Sequence, residues 1–527
     1  MIIPRSKKET RSGESFAISS QIRVKVDKDS EFSVGIMAEM IPYISAVVSE
    51  EAGCEVSISI LPEISDKNEF YKLTSICGEV NIKAKDKRGV VNAIATLSQL
   101  ICERGGIYYV DEADIEDYPD KEFRSFMIDT GRKYIPIDEL RAEILMMAKA
   151  KMTKLHWHIT DAQGCPVLFE TLSGIKSPDP DGRKYTKDEL KEIVAYAGEF
   201  LIDVIPEVDM PGHSFALTEY MPNLACRAEN PEGWDICIGN EDSYKYVENI
   251  IGELIEIFPY EYYHIGTDEI DMRDVHSSLG WEIQDWDRCP VCNEKFAKLG
   301  LNTVTERFYY FLKRVHEIVA SFGKKIMMWN DNIDISKSPD LPRDILIEFW
   351  RVAGKHRGPR EGCSMQRFLE EGFTVVNADY PNTYIDLPEY LNWKKLREWN
   401  LTRDPAITVE HENRIIGAES CAWDVQRHYA FSLYTTVPAF ADRIYNLSPI
   451  TDDEKFGIAL TKLALGPSVP RDFNMFDGIL RDFILGYNDC DIFDKGADKE
   501  SFKALLLSLK STSPEQKKLI SAYLELL

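Results

Sequence analysis

Asp268 and Glu269 stand side by side in the run His-Ile-Gly-Thr-Asp-Glu. Adjacent residues at a strand end project in different directions, so the two carboxylates can hold different tasks. One can stay ionised and face developing positive charge, while its neighbour, with a raised proton affinity, donates a proton. A lone Asp-Glu is more often a plain strand terminus or helix cap, so its surroundings must decide. Those surroundings repeat a pattern in which polar groups follow short apolar runs. Asp129 and Arg132 follow the first run, His156, His158 and Asp161 the second, and Glu207, Asp209 and His213 the third. After the fourth, which holds His264 and the acid pair, come Trp329 and Asp331, then Glu348 and Trp350. The seventh run leads to Asp379, Tyr380, Tyr384 and Asp386, and the eighth to Glu419, Trp423 and Asp424. Carboxylates beside aromatic platforms suit carbohydrate, whose hydroxyls meet bidentate acceptors and whose C–H faces lie on indole rings. Trp329, Trp350 and Trp423 could each form such a wall.

The runs themselves are short and β-branched: 126–129, 154–160, 201–208, 262–268, 325–330, 345–350, 373–377 and 415–421. Amphipathic stretches at 138–151, 187–200, 244–258 and 303–322 lie between them. Strands alternating with helices pair in parallel, and eight units close a TIM barrel, whose working groups sit just past the strand C-termini. No Gly-rich phosphate turn follows any strand, which disfavours the doubly wound open sheet. The fold expected is α/β: a (β/α)8 TIM barrel over 121–447, a small α+β domain over 1–120 and a helical C-terminal extension over 448–527. In the first domain, 22–26 and 56–60 read as strands, 89–102 as a helix and the acidic stretch 111–123 as a linker.

The 527 residues include 62 Lys and Arg against 88 Asp and Glu, a net charge of −26. Such a surface repels phosphate backbones and anionic lipids, so nucleic acid and membrane are not expected partners. No window has the roughly 18 apolar residues that a membrane helix needs. The N-terminal run lacks the apolar stretch of a secretory signal, and the eleven cysteines are odd in number and scattered. A reduced, cytoplasmic setting is expected, and a homodimer stays open.

Metal chemistry is the rival reading. His156 and His158 share one face of a strand, as in barrel metallohydrolases, and His264 and Asp268 could complete a site. Cys289-Pro-Val-Cys292 is a lone C-x-x-C, and a structural zinc usually needs a second pair. Two reduced loop cysteines, no metal and no cofactor are expected.

At these residues the chain resembles the β-N-acetylhexosaminidases of glycoside hydrolase family 20. The matching stretches are GVVNAIATLSQL, FRSFMIDTGRKYIP, KMTKLHWHITDAQG, YTKDELKEIVAYAGEFLIDVIPEVDMPGHSFAL and HIGTDE, with weaker echoes in MMWND, TYIDL and GAESCAWD. The resemblance implies an exo-acting, retaining glycosidase that removes terminal β-linked GlcNAc or GalNAc from an oligosaccharide or glycoconjugate without an enzyme nucleophile. It makes Asp268 the residue that orients the 2-acetamido group, Glu269 the general acid and Tyr384 the acetamide aligner. Trp329, Trp350 and Trp423 become pocket walls, Arg132 the grip on distal hydroxyls, and His213 and His264 a support shell, with Asp331 a further sugar contact. Three positions depart from the family pattern: Thr267 where Gly is commoner, Val425 where many members carry Glu, and Cys165 where an aromatic is usual, which would open the edge of the site. A non-catalytic glycan-binding protein and release of a disaccharide remain as alternatives.

Overall fold

The computed structural model describes residues 1–27, 32–49, 55–226, 235–270, 286, 289–330, 333, 335, 340–351, 363–380, 382–385, 396, 399–403, 407–424, 429–471, 474, 499–509, 517, 520, 521 and 524. The N-terminal part is one mixed sheet of β1 (Lys8–Ile18), β2 (Gln21–Val26), β3 (Ser45–Val48), β4 (Val56–Ile60), β5 (Tyr71–Ile76), β6 (Glu79–Ala84), β7 (Ile101–Arg104) and β8 (Ile107–Asp117). The order is β1-β8-β5-β6-β4-β2-β3, with β7 also on β8. The helix Lys87–Leu100 covers it, buries Val90, Ile94 and Leu97, and is capped by the Asp86 side chain, which accepts from the Gly89 N–H.

The expected acidic linker is half strand. Ala113, Ile115 and Asp117 of β8 are buried at every second position. The acids between them face outward, where Asp114 and Glu116 meet Lys72 and Glu116 also meets Lys8; before them, Asp111 meets Arg11. Acidic residues on the solvent face hid the period-two signal, and the true connection shrinks to residues 118–122.

The second part is a closed barrel of parallel strands. They are β9 (Phe123–Asp129), β10 (Lys154–Thr160), β11 (Asp203–Val208), β12 (Tyr262–His264), β13 (Lys325–Trp329), β14 (Leu346–Phe349), β15 (Thr374–Asn377) and β16 (Ile415–Ala422). All of β9 is buried, as expected for a strand enclosed on both faces. Helices Ile137–Lys149, Lys187–Glu199, Glu241–Leu254 and Val304–Ser321 stand where their apolar spacing put them. Thr186 and Thr303 start two of them with full capping boxes to Glu189 and Glu306.

After β16 come the helices Tyr429–Tyr445, Asp453–Leu465 and Lys499–Ser508, and no strand follows Ala422 among the described residues. No helix there is long and apolar enough to cross a membrane. At the seam between sheet and barrel, Arg124 of β9 forks onto Glu69 through Nη2 at 2.6 Å and Nη1 at 3.2 Å. Lys151 reaches Asp117 at 2.8 Å, and both side chains are fully buried.

Candidate active site

β12 stops at His264, four residues short of the run read from the sequence. The cause is the turn that follows. A Cβ on Gly266 would lie 1.7 Å from Asp209 Oδ1, so only glycine fits, and it turns with φ +68°. Thr267 (φ +85°) and Glu269 (φ +51°) follow in the left-handed region, a conformation that side chains other than glycine's adopt at a cost. The Thr267 N–H donates to Asp209 Oδ1 at 3.1 Å, which holds the turn on the end of β11.

This turn splits the acid pair. The Asp268 side chain is 12% exposed and that of Glu269 34%. His213, from the loop after β11, places Nε2 3.5 Å from Asp268 Oδ2 and 3.5 Å from Glu269 Oε2, and Nδ1 3.4 Å from Asp161 Oδ1. Burial alone would lower the His213 imidazole, but Asp268 and Asp161 carry it well above the ordinary histidine range. Burial raises the proton affinity of Asp268; His213 opposes this, and Glu269 and Glu207 add to it. Burial and then the charge of Asp268 push Asp209 up as well. The cluster is acid-rich, with one imidazole among the carboxyl groups of Asp161, Asp209, Asp268 and Glu269.

Beside it, Arg132 Nη1 lies 2.9 Å from Asp129 and Nη2 2.7 Å from Asp161, with the guanidinium 5.2 Å above the Trp423 ring. Asp129 also accepts from the Asp424 N–H at 3.0 Å, so the ends of β9 and β16 are tied through one carboxylate. Although burial opposes it, His213 and Arg132 hold the Asp161 carboxyl far below the usual range.

Trp329, Trp350 and Tyr384 form one apolar cluster with Met127, Ala378 and Cys421, against which Tyr380 and Trp423 also pack. Trp350 stacks on Tyr384 at 6.2 Å and 17°, and Trp423 stands 6.3 Å from Tyr384. Tyr384 is fixed by a parallel bridge to Cys421 of β16, where the Ile385 N–H donates to the Cys421 carbonyl at 3.0 Å. The aromatic residues of four strand ends therefore come together, as the sequence suggested.

Two of the expected pocket residues, His264 of the support shell and Trp329 of the walls, lie deep in the barrel. The His264 side chain has no exposure and sits in the barrel interior, 2.9 Å from Glu207. Trp329 is fully buried, its indole N–H donates to Glu207 Oε1 at 2.9 Å, and it stands behind Trp423 at 5.7 Å. Both belong to the layer of inward-pointing strand side chains that fills the barrel beneath its mouth. Cys165 is not at the site's edge: it is fully buried, and burial pushes its thiol up to about 12. Asp331, Asp386 and Val425 lie outside the described residues.

The interior layer also settles the fate of the H-x-H pair. His158 meets Glu207 through Nδ1 and Asp161 through Nε2 at 3.0 Å, so both ring nitrogens are taken. His156 Nδ1 lies 2.8 Å from Glu419, and against the pull of burial Glu419 and Glu207 raise its imidazole to about 9. Asp268 gathers with Asp209 and His213, apart from the histidines of β10. The quartet of the metal reading does not converge on one point.

Arg351 was missed by sequence reasoning. Its Nη2 lies 3.4 Å from Glu269 Oε1, and its guanidinium covers the Trp350 ring at 4.6 Å. The available signal was a cation directly after a strand-end tryptophan. Asp161 was noted only as a strand-end acid, yet it joins Arg132, His158 and His213.

The arrangement offers a buried acceptor, a more exposed acid within reach of a cation, and an aromatic enclosure. Residues 122–445 match the model of the glycosyl hydrolase family 20 catalytic domain, and residues 1–118 that of the family's domain 2. A β-hexosaminidase of Porphyromonas gingivalis is 26% identical over 391 residues, covering 66% of this chain and 47% of the relative. β-Hexosaminidase subunit A1 of Dictyostelium discoideum is 27% identical over 375 residues, covering 68% and 65%. The chain thus spans about half to two thirds of the length of these relatives. In fold it is similar to the exo-β-N-acetylglucosaminidase of Vibrio harveyi, with a TM-score of 0.75 at 20% identity over 89% of this chain and 78% of that one. With more than half of its residues matched by the catalytic-domain model, the chain belongs to glycosyl hydrolase family 20.

Proposed function

We propose that the chain is an exo-acting β-N-acetylhexosaminidase that releases terminal β-linked GlcNAc or GalNAc by substrate-assisted, retaining hydrolysis. The observation that carries this reading is the unequal acid pair: one imidazole 3.5 Å from both carboxylates, with Asp268 turned inward and Glu269 toward solvent.

In the proposed reaction the 2-acetamido oxygen attacks C1 while Glu269 gives its proton to the departing glycosidic oxygen. The C1–O bond breaks and a cyclic oxazolinium forms. Asp268 accepts the acetamide N–H; because its anion is poorly solvated, it gains most when positive charge develops on that nitrogen. Trp350, Tyr384 and Trp423 enclose the acetamide and align it, an orientation effect. Water then gives its proton to Glu269 and attacks C1, which opens the ring with the configuration retained. Arg132, clamped by Asp129 and Asp161, is already oriented for distal hydroxyls. Arg351 steadies the carboxylate of Glu269 between the two proton transfers.

A panel of nitrophenyl glycosides with and without the 2-acetamido group tests the reading. Cleavage confined to the acetamido sugars, unchanged by chelator, is expected. Plain glucosides cleaved as fast would overturn the role given to the acetamide, and binding without any turnover would favour a glycan-binding protein.

A further inference from the structure

Cys289 and Cys292 are not alone. The fold brings Cys226 and Cys237 to them, and all four sulfurs lie within 4.8 Å of one another. All four residues are buried. Cys237 Sγ stands 3.8 Å from Cys289 Sγ and 3.6 Å from Cys292 Sγ. A disulfide would need about 2.05 Å. A tetrahedral ion with metal–sulfur bonds of about 2.3 Å sets its sulfurs about 3.8 Å apart.

The backbone around the cluster is built for this spacing. Cys226 and Cys237 lie diagonally across a narrow antiparallel pair, in which the Cys226 N–H donates to the Asp235 carbonyl at 2.8 Å and the Cys237 N–H to the Leu224 carbonyl at 2.7 Å. Ala225 and Ile236 form the bridge between them. Cys289 precedes the helix Pro290–Leu299 and Cys292 lies in its first turn, so the unpaired N–H groups of that turn favour thiolates. A Cβ on Gly239 would lie 2.6 Å from Cys292 Cα, so the two backbones touch with no room for a side chain. The two ligand pairs thus come from different barrel loops, one after β11 and one before Val304–Ser321, and meet at close packing.

We propose that Cys226, Cys237, Cys289 and Cys292 form a closed tetrathiolate site for a structural zinc ion. Four thiols crowded out of water satisfy one another poorly, because S–H is a weak donor. A divalent ion displaces their protons and takes all four sulfurs, and tetrahedral sulfur ligation selects zinc among the common divalent ions. With no open position the ion has no part in hydrolysis. Its effect is mechanical: it ties the loop that follows β11, on which Cys226 and Cys237 lie, to the start of the helix Pro290–Leu299.

The test uses the full chain, purified under reducing conditions from zinc-supplemented medium without chelator. Elemental analysis should find one equivalent of zinc per chain, and a mercurial reagent should release it in step with thiol modification. Loading with cobalt(II) should give the visible bands of a tetrahedral thiolate complex. Cys289→Ser should lose most of the zinc and melt at a lower temperature, whereas Cys77→Ser, at an exposed cysteine, should keep both. Zinc-free protein that takes up no cobalt, or a disulfide among the four found by mass spectrometry, would overturn the proposal. Should Cys289→Ser fail to fold, the zinc content and cobalt spectrum of the unaltered chain still decide.

Discussion

Two regions of this molecule bury charge, and they do so in opposite ways. At the seam between sheet and barrel every charge has its complement. Asp117 accepts from Lys151 Nζ at 2.8 Å, Tyr71 Oη at 2.9 Å and Tyr445 Oη at 3.0 Å, while Glu69 takes the Arg124 fork. At the barrel mouth acids outnumber bases, and Asp268 Oδ1 and Asp209 Oδ2 meet no donor among the described residues. Matched buried charge holds elements in register; unmatched buried charge raises proton affinities and leaves carboxylates ready for a ligand. Strained backbone occurs in both regions, since His213, Thr267, Glu269 and Asp424 adopt positive φ within the mouth and Glu69 and Lys151 do so at the seam.

The difference can be broken from either side. Glu269→Gln should cut turnover of natural glycosides by about 10²–10⁴, the range for loss of a general acid. Nitrophenyl substrates, whose leaving group needs little protonation, should lose less, and equal losses would count against the acid assignment. Thermal stability should hardly change. Lys151→Met should do the reverse. Leaving Asp117 buried without its cation costs about 3–5 kcal/mol, read by urea denaturation, with turnover per folded molecule preserved. A variant that lost activity but no stability would mean that the seam communicates with the mouth.

Asp268→Asn sharpens the contrast within the mouth itself. Removing a charge aimed at a developing cation costs about 10²–10³ in rate. It should also weaken binding of a thiazoline mimic of the oxazolinium, measured by inhibition. Equal binding by parent and variant would remove Asp268 from the role proposed for it.

Much of this layout was legible from residue types. The barrel strands read as short apolar runs because both of their faces are buried, and β10 emerged with its observed ends, Lys154 and Thr160. The strand-end acids and indoles were legible because polar groups are expensive in a core. What escaped depended on distances along the chain. Cys226 and Cys237 precede the Cys-Pro-Val-Cys motif by more than fifty residues, and only the stacking of two barrel loops unites them. β8 escaped because its outward acids resembled a linker. His264 and Trp329 were placed on the correct strands, but their full burial was not legible, since sequence gives a side chain's face of the strand and not its layer in the barrel.

A smaller effect concerns protonation. His213 holds a folded pKa well above its usual 6.5 because Asp268 and Asp161 flank it. Its imidazolium therefore contributes stability that is fully present below about pH 6.5 and lost as pH rises through the folded value. Compared with His213→Gln, the parent should show its greatest advantage in melting temperature at mildly acid pH, and the gap should narrow toward alkaline pH. A gap constant across that window would mean that His213 is neutral in the folded chain.

The smallest effect tests whether the strain in the mouth is used. Thr267 is β-branched and sits at φ +85°, a conformation that glycine adopts freely. Relieving it by Thr267→Gly removes a cost of order 1–3 kcal/mol, but frees the unfolded chain and gives up the side chain's packing. The net gain in stability should therefore stay within about 1 kcal/mol. The Thr267 hydroxyl donates to the Trp329 carbonyl at 3.5 Å, but the turn is also anchored through its backbone, by Gly266 seated on Asp209 and by the Thr267 N–H on the same carboxylate. If that backbone anchoring suffices, the variant keeps its turnover. If kcat falls while the melting temperature rises, the strained threonine itself holds the two carboxylates apart, and the mouth spends stability on position.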